Sequence, residues 1–240
     1  MNIIGLIPAR SGSKGVINKN MRMIGGHTLI EWSINACLRS KLINRVIVST
    51  DSKQYAEHSE KAGAEAPFTR PKEISSDLST DFEFIDHAIN WLENHNDSPD
   101  YIVHVRPTTP FRDPAIIDKA IKIFQFSNIA SALRSVHEMP ESAYKTFEIN
   151  HEGRLKRICS NETSLDISNY ARQEFPKTFS ANGYVDVLSV DFIKKNKTIH
   201  GDHVLPFITP FTDEIDTEDD MDRLEIKLSQ YPELGTKIFK

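Results

Sequence analysis

The chain has 240 residues, of which 39% are hydrophobic and 26% are charged, and its formal net charge is −5. This balance is typical of a globular protein large enough to bury a full core. An acidic chain without a basic tract is not expected to coat a nucleic acid or a membrane surface, so we expect neither partner. No apolar run approaches membrane-spanning length and no signal peptide is recognisable, which predicts a cytoplasmic location.

A buried strand is predicted at residues 3–7, and the loop after it is rich in groups that bind phosphate. The loop contains cations, glycines and small polar residues, namely Arg10, Ser11, Gly12, Ser13, Lys14, Gly15, Lys19 and Asn20. Glycines let backbone N–H groups turn inward and cations add charge, so this composition suits a polyphosphate. Only two glycines are present and no Gly-Lys-Ser/Thr occurs, so the loop is neither the dinucleotide fingerprint nor a Walker loop.

The first half of the chain alternates between strand-like and helical patterns. Strands are predicted at residues 3–7, 45–49, 66–68 and 101–105, and each is followed by a helical pattern. Asp51 is the predicted N-cap of the second helix, and Asp113 is that of the fourth. Four such units in a row predict an α/β fold with a mostly parallel sheet. Ligands bind at the carboxyl ends of such strands, so the cation-rich loops after the first and fourth predicted strands should face one site.

The pattern changes after about residue 130. Shorter strands are predicted at residues 130–136, 143–149 and 155–158, and a strand pattern returns at residues 182–190. We interpret residues 135–180 as an excursion from the sheet within a single domain that spans residues 1–240. Such an excursion is often a dimer contact or a lid, and an ordinary surface insertion is the alternative.

Glu214 and Asp216 are the candidate metal ligands. They lie two residues apart after a strand-like stretch, so both carboxylates can project on one side. Mg²⁺ prefers hard oxygen ligands and also takes phosphate oxygens, so the pair suits metal-assisted phosphoryl or nucleotidyl transfer. The alternative is a solvated acidic start of the helix that Thr217 caps. The nine histidines and the two cysteines, Cys37 and Cys159, show no metal-ligand spacing.

Several blocks of the sequence match one known family in order. The first is Ile-Pro-Ala-Arg-Ser-Gly-Ser-Lys-Gly-Val-Ile-Asn-Lys-Asn at residues 7–20, and the later blocks are residues 48–52, 70–71, 106–112, 181–183 and 215–218. Together they resemble the bacterial acylneuraminate cytidylyltransferases, the CMP-sialic acid synthetases. One block alone would be weak, but several in order over nearly the whole chain are specific.

The resemblance implies a fold and a reaction. The fold is a mostly parallel, Rossmann-like nucleotidyltransferase sheet flanked by helices, with a dimerisation arm at residues 135–180 and a homodimeric assembly. The reaction joins CTP to a nonulosonic (sialic-type) 2-keto sugar acid and gives a CMP-sugar and pyrophosphate, for lipopolysaccharide or capsule synthesis. Mg²⁺ is the expected cofactor, with Mn²⁺ as an alternative.

The resemblance also assigns roles to residues of this chain. It implies catalytic roles for Arg10, Lys14 and Asp216. It implies nucleotide binding by Arg10, Ser11, Gly12, Ser13, Lys14, Gly15, Lys19, Asn20 and Arg70. It places Arg106, Lys145, Arg172 and Asn182 at the sugar acid, and Asp216 with Glu214 at the metal.

Three positions depart from the family pattern. Glu214 replaces the usual first aspartate of the metal pair, Arg106 replaces a glutamine, and Ser180 stands where an arginine is usual. Arg106 adds a cation near the substrate phosphate or the sugar. The last two changes leave the acid open, with 3-deoxy-manno-octulosonate, legionaminate and pseudaminate as alternatives. An alternative of another class is a non-catalytic CTP-binding or sensor protein.

Overall fold

The computed structural model describes residues 1–158 and 164–239, so Cys159 lies outside the described residues. The strands of this part of the chain are β1 (Ile3–Pro8), β2 (Met23–Ile24), β3 (His27–Thr28), β4 (Arg45–Ser49), β5 (Tyr101–His104), β6 (Ala132–Glu138), β7 (Phe147–Ile149), β8 (Leu155–Arg157), β9 (Phe179–Ser189) and β10 (Val204–Ile208). β2 pairs with β3 and β7 pairs with β8, while the other six strands form one central sheet.

The six central strands lie in the order β10–β6–β9–β5–β1–β4. β1 is parallel to β4 and β5, and β10 is parallel to β6, whereas β9 runs antiparallel between β5 and β6. The predicted mostly parallel sheet is therefore confirmed, with one reversed strand that the sequence pattern did not indicate. Pro8 is aligned with Ser49, and Leu6 with His104, so β1, β4 and β5 end at one edge of the sheet.

The helices of the described residues are α1 (Leu29–Leu38), α2 (Lys53–Lys61), α3 (Asp81–Asn94), α4 (Pro114–Gln125), α5 (Val190–Asn196), α6 (Glu218–Gln230) and α7 (Glu233–Phe239). Alternate residues of β1 point to opposite faces of the sheet. Ile3 and Ile7 pack in the core formed with α1 and α4, and Ile4 and Leu6 pack in the core formed with α3 and α5. Both faces are thus buried, as expected for a mainly parallel sheet. None of these helices has both the length and the apolar character required to cross a membrane.

A third apolar cluster joins the opening loop to the C-terminal helices. Val16 of the loop and Ile215 of the acidic segment are both fully buried in it. They pack with Trp32 of α1 and Met221 of α6, and Thr217 caps α6 as predicted. This packing brings two segments from opposite ends of the chain together, and both carry candidate site residues.

The start of α2 differs from the prediction. Ser52, not Asp51, is the N-cap, because its hydroxyl accepts a hydrogen bond from the backbone N–H of Tyr55. The carboxylate of Asp51 binds the opening loop instead. At α4 the predicted N-cap, Asp113, is confirmed.

Two of the predicted strands differ as well. Residues 66–68 do not form a strand. The neighbouring Glu65 and Thr69 form isolated bridges with Ile47 of β4 and with Thr50 just after it. Residues 143–149 begin as a 3-10 turn and become extended only in β7. The excursion at residues 135–180 does contain the β7–β8 hairpin outside the central sheet. Its role as a dimerisation arm or lid and the single-domain organisation of the chain stay predictions.

A buried guanidinium holds the turn that follows β5. The side chain of Arg112 is fully buried. It donates hydrogen bonds to one hydroxyl and four backbone carbonyls, those of Ser33, Arg106, Thr109, Gly183 and Tyr184. Burial lowers the pKa of Arg112 to about 10, which leaves the group charged at neutral pH. Arg112 therefore joins this turn to β9 and to α1.

Replacing Arg112 is expected to destabilise the fold strongly. Arg112→Ala leaves buried acceptors without a donor, which should lower the free energy of unfolding by about 3–5 kcal/mol in urea titrations. Arg112→Lys should recover only part of this loss, because an ammonium lacks the planar fork. Arg223→Ala, at a side chain that is 71% exposed, is the control and should change little. An unchanged urea midpoint in Arg112→Ala would contradict the assigned role.

Candidate active site

A cleft of about 200 Å³ lies at the edge of the sheet where β1, β4 and β5 end. The predicted site residues that line it are Arg10, Ser13, Lys19, Asn20, Arg70 and Arg106. Asp81, at the start of α3, adds a carboxylate to the lining. The loops after β1 and β5 therefore converge on one site, as the parallel topology predicted.

Two of the predicted phosphate-binding cations share one carboxylate. Arg10 Nη2 lies 2.6 Å from Asp77 Oδ1, and Lys14 Nζ lies 2.6 Å from Asp77 Oδ2. The hydrogen bonds from Lys14 and Arg10 hold the pKa of Asp77 below its usual value. The Lys14 side chain is 84% exposed, so it can follow another anion. A polyphosphate that binds this pair of cations must displace Asp77 from them.

Polar contacts set the shape of the opening loop. The backbone N–H and the hydroxyl of Ser11 each donate a 2.7 Å hydrogen bond to Asp51. The side-chain amide of Asn20 donates to the carbonyl of Arg10 at 3.0 Å. Gly12 has a φ of 76°, in the left-handed region that favours glycine. In this structure Ser11 and Asn20 act on the loop itself, and their contact with a nucleotide stays a prediction.

The opening loop lies directly against the acidic segment. A Cβ atom on Gly15 would lie 2.6 Å from the carbonyl oxygen of Asp216, so glycine permits this close approach. Lys19 Nζ donates to the carbonyl of Ile215 at 2.6 Å and to Asp216 Oδ1 at 3.0 Å. The predicted phosphate loop and the predicted metal ligands therefore form one continuous site.

Glu214 and Asp216 fit the donor set that Mg²⁺ prefers. Both side chains are exposed, while Ile215 between them is buried, so both carboxylates are open to solvent. Glu214 accepts a hydrogen bond from the hydroxyl of Thr108 at 3.2 Å. Within the described residues no group of three or more His, Cys, Asp or Glu side chains is placed to hold an ion. Mg²⁺ typically takes one or two protein carboxylates and completes its shell with water and phosphate oxygens. The metal itself stays a prediction.

Arg70 lines the cleft although it is almost fully buried. Its Nε and Nη2 atoms donate to the hydroxyl and the carbonyl of Ser49, the last residue of β4. Its guanidinium carbon lies 4.8 Å from the centre of the Phe84 ring. Burial lowers the pKa of Arg70 to about 10. These contacts fix the guanidinium at the edge of the cleft, and its contact with the nucleotide stays a prediction.

Arg106 lies between two carboxylates just after β5. Its Nη2 atom lies 2.6 Å from Asp81 Oδ2, and its Nη1 atom lies 3.4 Å from Asp186 Oδ2. The Asp186 side chain is 1% exposed, whereas that of Asp81 is 38% exposed. Burial alone would lower the pKa of Arg106, but Asp186 and Asp81 raise it above its usual value. The additional cation expected from the sequence is therefore present and already has two partners.

Lys145 and Arg172 lie on the excursion, and neither is among the described residues that line the cleft. Lys145 Nζ donates to a backbone carbonyl of the excursion at 3.2 Å, and Arg172 Nη2 lies 3.1 Å from Glu138 Oε1. Asn182 is buried, and its amide donates to the hydroxyl of Thr209 at 2.6 Å. Within one chain, only Arg106 of the predicted sugar-acid residues lies in the cleft lining. The roles of the other three stay predictions.

Several carboxylates that bind predicted site residues were not recognised from the sequence, among them Asp51, Asp77 and Asp81. Asp77 lies in a polar segment rich in helix-capping residues, and Asp81 begins α3, where an acidic residue is common in any helix. Asp51 had been assigned to a helix cap. Tertiary contacts select the partners of all three. The sequence contains one weak indication of these contacts, namely that aspartates occur near loops that are rich in cations.

Residues 4–180 match a family model described as cytidylyltransferase. The chain belongs to the cytidylyltransferase family. It is 32% identical to the N-acylneuraminate cytidylyltransferase of Escherichia coli O18:K1:H7, over 95% of this chain and 52% of that protein. It is 27% identical to the CMP-N,N'-diacetyllegionaminic acid synthase of Legionella pneumophila, over 87% of each chain. The chain spans about half the length of this Escherichia coli relative, and the family inferred from the sequence blocks is confirmed.

Solved structures confirm the fold of this cytidylyltransferase. CMP:2-keto-3-deoxy-manno-octonic acid synthetase in complex with CTP matches 96% of this chain and 99% of that chain, with a TM-score of 0.69 and 16% identity. The 4-diphosphocytidyl-2C-methyl-D-erythritol synthase of Anaerococcus prevotii matches 95% of this chain and 98% of that chain, with a TM-score of 0.63 and 11% identity. The α/β nucleotidyltransferase fold predicted from the sequence is therefore correct.

Asp77→Asn is expected to strengthen the binding of pyrophosphate to the free protein. An anion must displace Asp77 from Arg10 and Lys14, and a neutral amide competes less well than a carboxylate. Exposed ion pairs are individually weak, so the Kd measured by isothermal titration calorimetry should fall by roughly threefold to tenfold.

The matched control for this change is Glu73→Gln. It removes the same charge from the same segment, and the described contacts of Arg10 and Lys14 do not include Glu73. Pyrophosphate should bind this variant as it binds the wild type. Equal or weaker binding by Asp77→Asn would show that Asp77 does not compete with the anion.

Proposed function

We propose that this protein transfers CMP from CTP to a nonulosonic (sialic-type) 2-keto sugar acid and releases pyrophosphate. The contact between the opening loop and the acidic segment carries this proposal. Lys19 binds Asp216 beside a cleft that Arg10 and Arg106 line. A polyphosphate loop next to a carboxylate pair is suited to nucleotidyl transfer. Two relatives in the same family are named for N-acylneuraminate and for diacetyllegionaminic acid, which supports this class of acceptor.

The cations of the opening loop act on the leaving group in the proposed reaction. The anomeric hydroxyl of the acid loses its proton and attacks the α-phosphorus of CTP, and the bond to the β-phosphate oxygen breaks. Arg10, Lys14 and Lys19 stabilise the negative charge that develops on pyrophosphate. The exposed Lys14 can follow the phosphates as they move, whereas Lys19 is fixed against the acidic segment. Arg70, held at the end of β4, is proposed to bind the nucleotide.

Asp216 and Glu214 are the residues that would hold Mg²⁺, with Mn²⁺ as an alternative. When bound, the ion neutralises phosphate charge and orients the phosphate oxygens. The hydroxyl of Thr108 orients Glu214, and Lys19 neutralises Asp216 in the free protein.

We further propose that the protein acts as a homodimer in which the arm at residues 135–180 reaches the cleft of the partner. Lys145 and Arg172 lie outside the cleft lining of their own chain, and a twofold axis can bring one arm to the other cleft. The fork of Arg172 can pair with both carboxylate oxygens of the acid. The arm also exposes apolar side chains that suit an interface, with Ile149 73% exposed and Leu155 48% exposed.

Mixing two inactive variants tests this dimer. Arg10→Ala disables the cleft and Arg172→Ala disables the arm, so a mixed dimer has one fully intact site if the arm crosses to the partner. Random exchange of subunits should then restore about a quarter of the wild-type activity. A mixture that stays as inactive as its components would show that Arg172 acts on its own chain or not at all.

We propose a cytoplasmic enzyme without a nucleic-acid or membrane partner. Four cations, Arg10, Lys19, Arg70 and Arg106, line one cleft of a chain with a net charge of −5, which suits small anionic substrates. Its product would supply lipopolysaccharide or capsule synthesis.

Arg10→Ala and Asp216→Ala are expected to lower kcat/KM for pyrophosphate release by roughly 30–1000-fold. This range corresponds to the loss of one charged contact in the transition state, about 2–4 kcal/mol. Lys195→Ala removes an exposed ammonium that pairs with Asp191 on its own helix and should retain activity. Near-wild-type rates in either site variant would remove that residue from the mechanism.

A panel of acids in the same assay tests the function itself. CTP and Mg²⁺ are supplied with N-acetylneuraminate, legionaminate, pseudaminate or 3-deoxy-manno-octulosonate, and pyrophosphate is measured. Release with one acid identifies the acceptor. No release with any acid, together with a CTP-dependent rise in Tm, would favour the non-catalytic CTP-binding or sensor protein and overturn the proposed enzyme.

A further inference from the structure

The two ion pairs of Arg106 reduce the net positive charge in the part of the cleft that Arg106 lines. One side of the guanidinium faces the partly exposed Asp81 at 2.6 Å, and the other faces the buried Asp186 at 3.4 Å. The Arg106 side chain is itself only 20% exposed. A single cation thus lies between two anions while still lining the cleft.

The neighbours of Asp186 complete this charge balance. His104 of β5 and Arg134 of β6 are the residues aligned with Asp186 across the sheet. His104 is fully buried, and burial lowers its pKa to about 3, so it is neutral at physiological pH. Arg134 supplies the second positive charge beside Asp186. His200 Nε2 also lies 3.9 Å from Asp186 Oδ2, so Arg106, Arg134 and His200 share the buried Asp186, whereas Asp81 pairs with Arg106 at 2.6 Å. Arg106 is therefore not a spare cation.

From this arrangement we infer that Arg106 selects a sugar acid whose substituent next to the Arg106 guanidinium is uncharged. Its guanidinium acts as an oriented hydrogen-bond donor to an acylamino carbonyl or a hydroxyl group, and it does not attract a second carboxylate or a phosphate ester. Asp81 is the positioning residue that removes the spare charge. The inference rests on the proposed function, since it specifies which sugar acids the proposed site accepts.

Asp81 is the residue through which this selectivity can be changed. Asp186 is buried within the sheet between β5 and β6, so its removal would disturb the core. Asp81 is the first residue of α3, and 38% of its side chain is exposed. The helix cap is formed by Thr80 and Glu83, which a change at Asp81 leaves in place.

Sulfate binding to the free protein tests the charge balance without relying on activity. Asp81→Asn gives Arg106 an unmatched positive charge, so we expect sulfate to bind this variant on the order of tenfold more tightly than the wild type in calorimetry. The double variant Asp81→Asn/Arg106→Gln should return to the wild-type affinity. Asp86→Asn removes a carboxylate from the same helix and is the matched control.

Steady-state kinetics with the acid identified in the panel test the selectivity. Asp81→Asn should raise the KM for the acceptor several-fold and make sulfate a stronger competitor of the acceptor, while the KM for CTP stays constant. Unchanged sulfate affinity in Asp81→Asn would overturn the inference. A change confined to the KM for CTP would also overturn the inference, because such a change would place the Arg106–Asp81 ion pair at the nucleotide. If the wild type releases no pyrophosphate with any acid, the proposed function fails, and the sulfate measurement still decides the charge balance.

Discussion

The geometry of the cleft depends on the buried guanidinium of Arg112. Its hydrogen bonds connect the backbone of the turn after β5 with β9, the one reversed strand beside β5. One acceptor is the carbonyl of Arg106, so Arg112 fixes the backbone at Arg106. The contact with Gly183 and Tyr184 sets the distance between the turn and Asp186 two residues further along β9. A buried cation that stabilises the fold therefore also positions a cleft residue, which couples stability to recognition.

Three of the four described cations that line the cleft form ion pairs with carboxylates in the free protein, whereas Arg70 binds Ser49. Arg10 meets Asp77, Lys19 meets Asp216, and Arg106 meets Asp81. Binding an anionic substrate is therefore an exchange of partners, and its net free energy is the difference between two sets of charged hydrogen bonds. A polyphosphate offers several oxygens to several cations at once, whereas a single small anion can replace only one partner. Under the proposed function, a polyphosphate can replace the partners of Arg10 and Lys19 together, whereas Arg106 keeps Asp81.

Local patterns were sufficient to predict much of the fold but not the partners of the charged residues. Helical periodicity, the Asp113 and Thr217 caps and the apolar runs of β1, β4 and β5 are short-range signals, and the structure confirms them. The reversal of β9 depends on its long-range pairing, and no local pattern encodes it. Asp51 shows the same limit, because a helix cap and a loop contact require the same residue type, and the tertiary contact with Ser11 decided between them.

The site divides into two parts that lie on different segments of the chain. The polyphosphate part consists of the loop after β1 and the segment around Asp216, which are packed together through the buried Val16 and Ile215. The proposed acceptor part depends on the start of α3, the turn after β5 and the arm, and of these described segments only the turn contacts that cluster, through Phe111. Substitutions at Asp81 or Arg106 can therefore change the group that is recognised while the packing that joins Gly15 to Asp216 is left intact. Under the proposed function, this separation is compatible with relatives in one family that are named for different sugar acids.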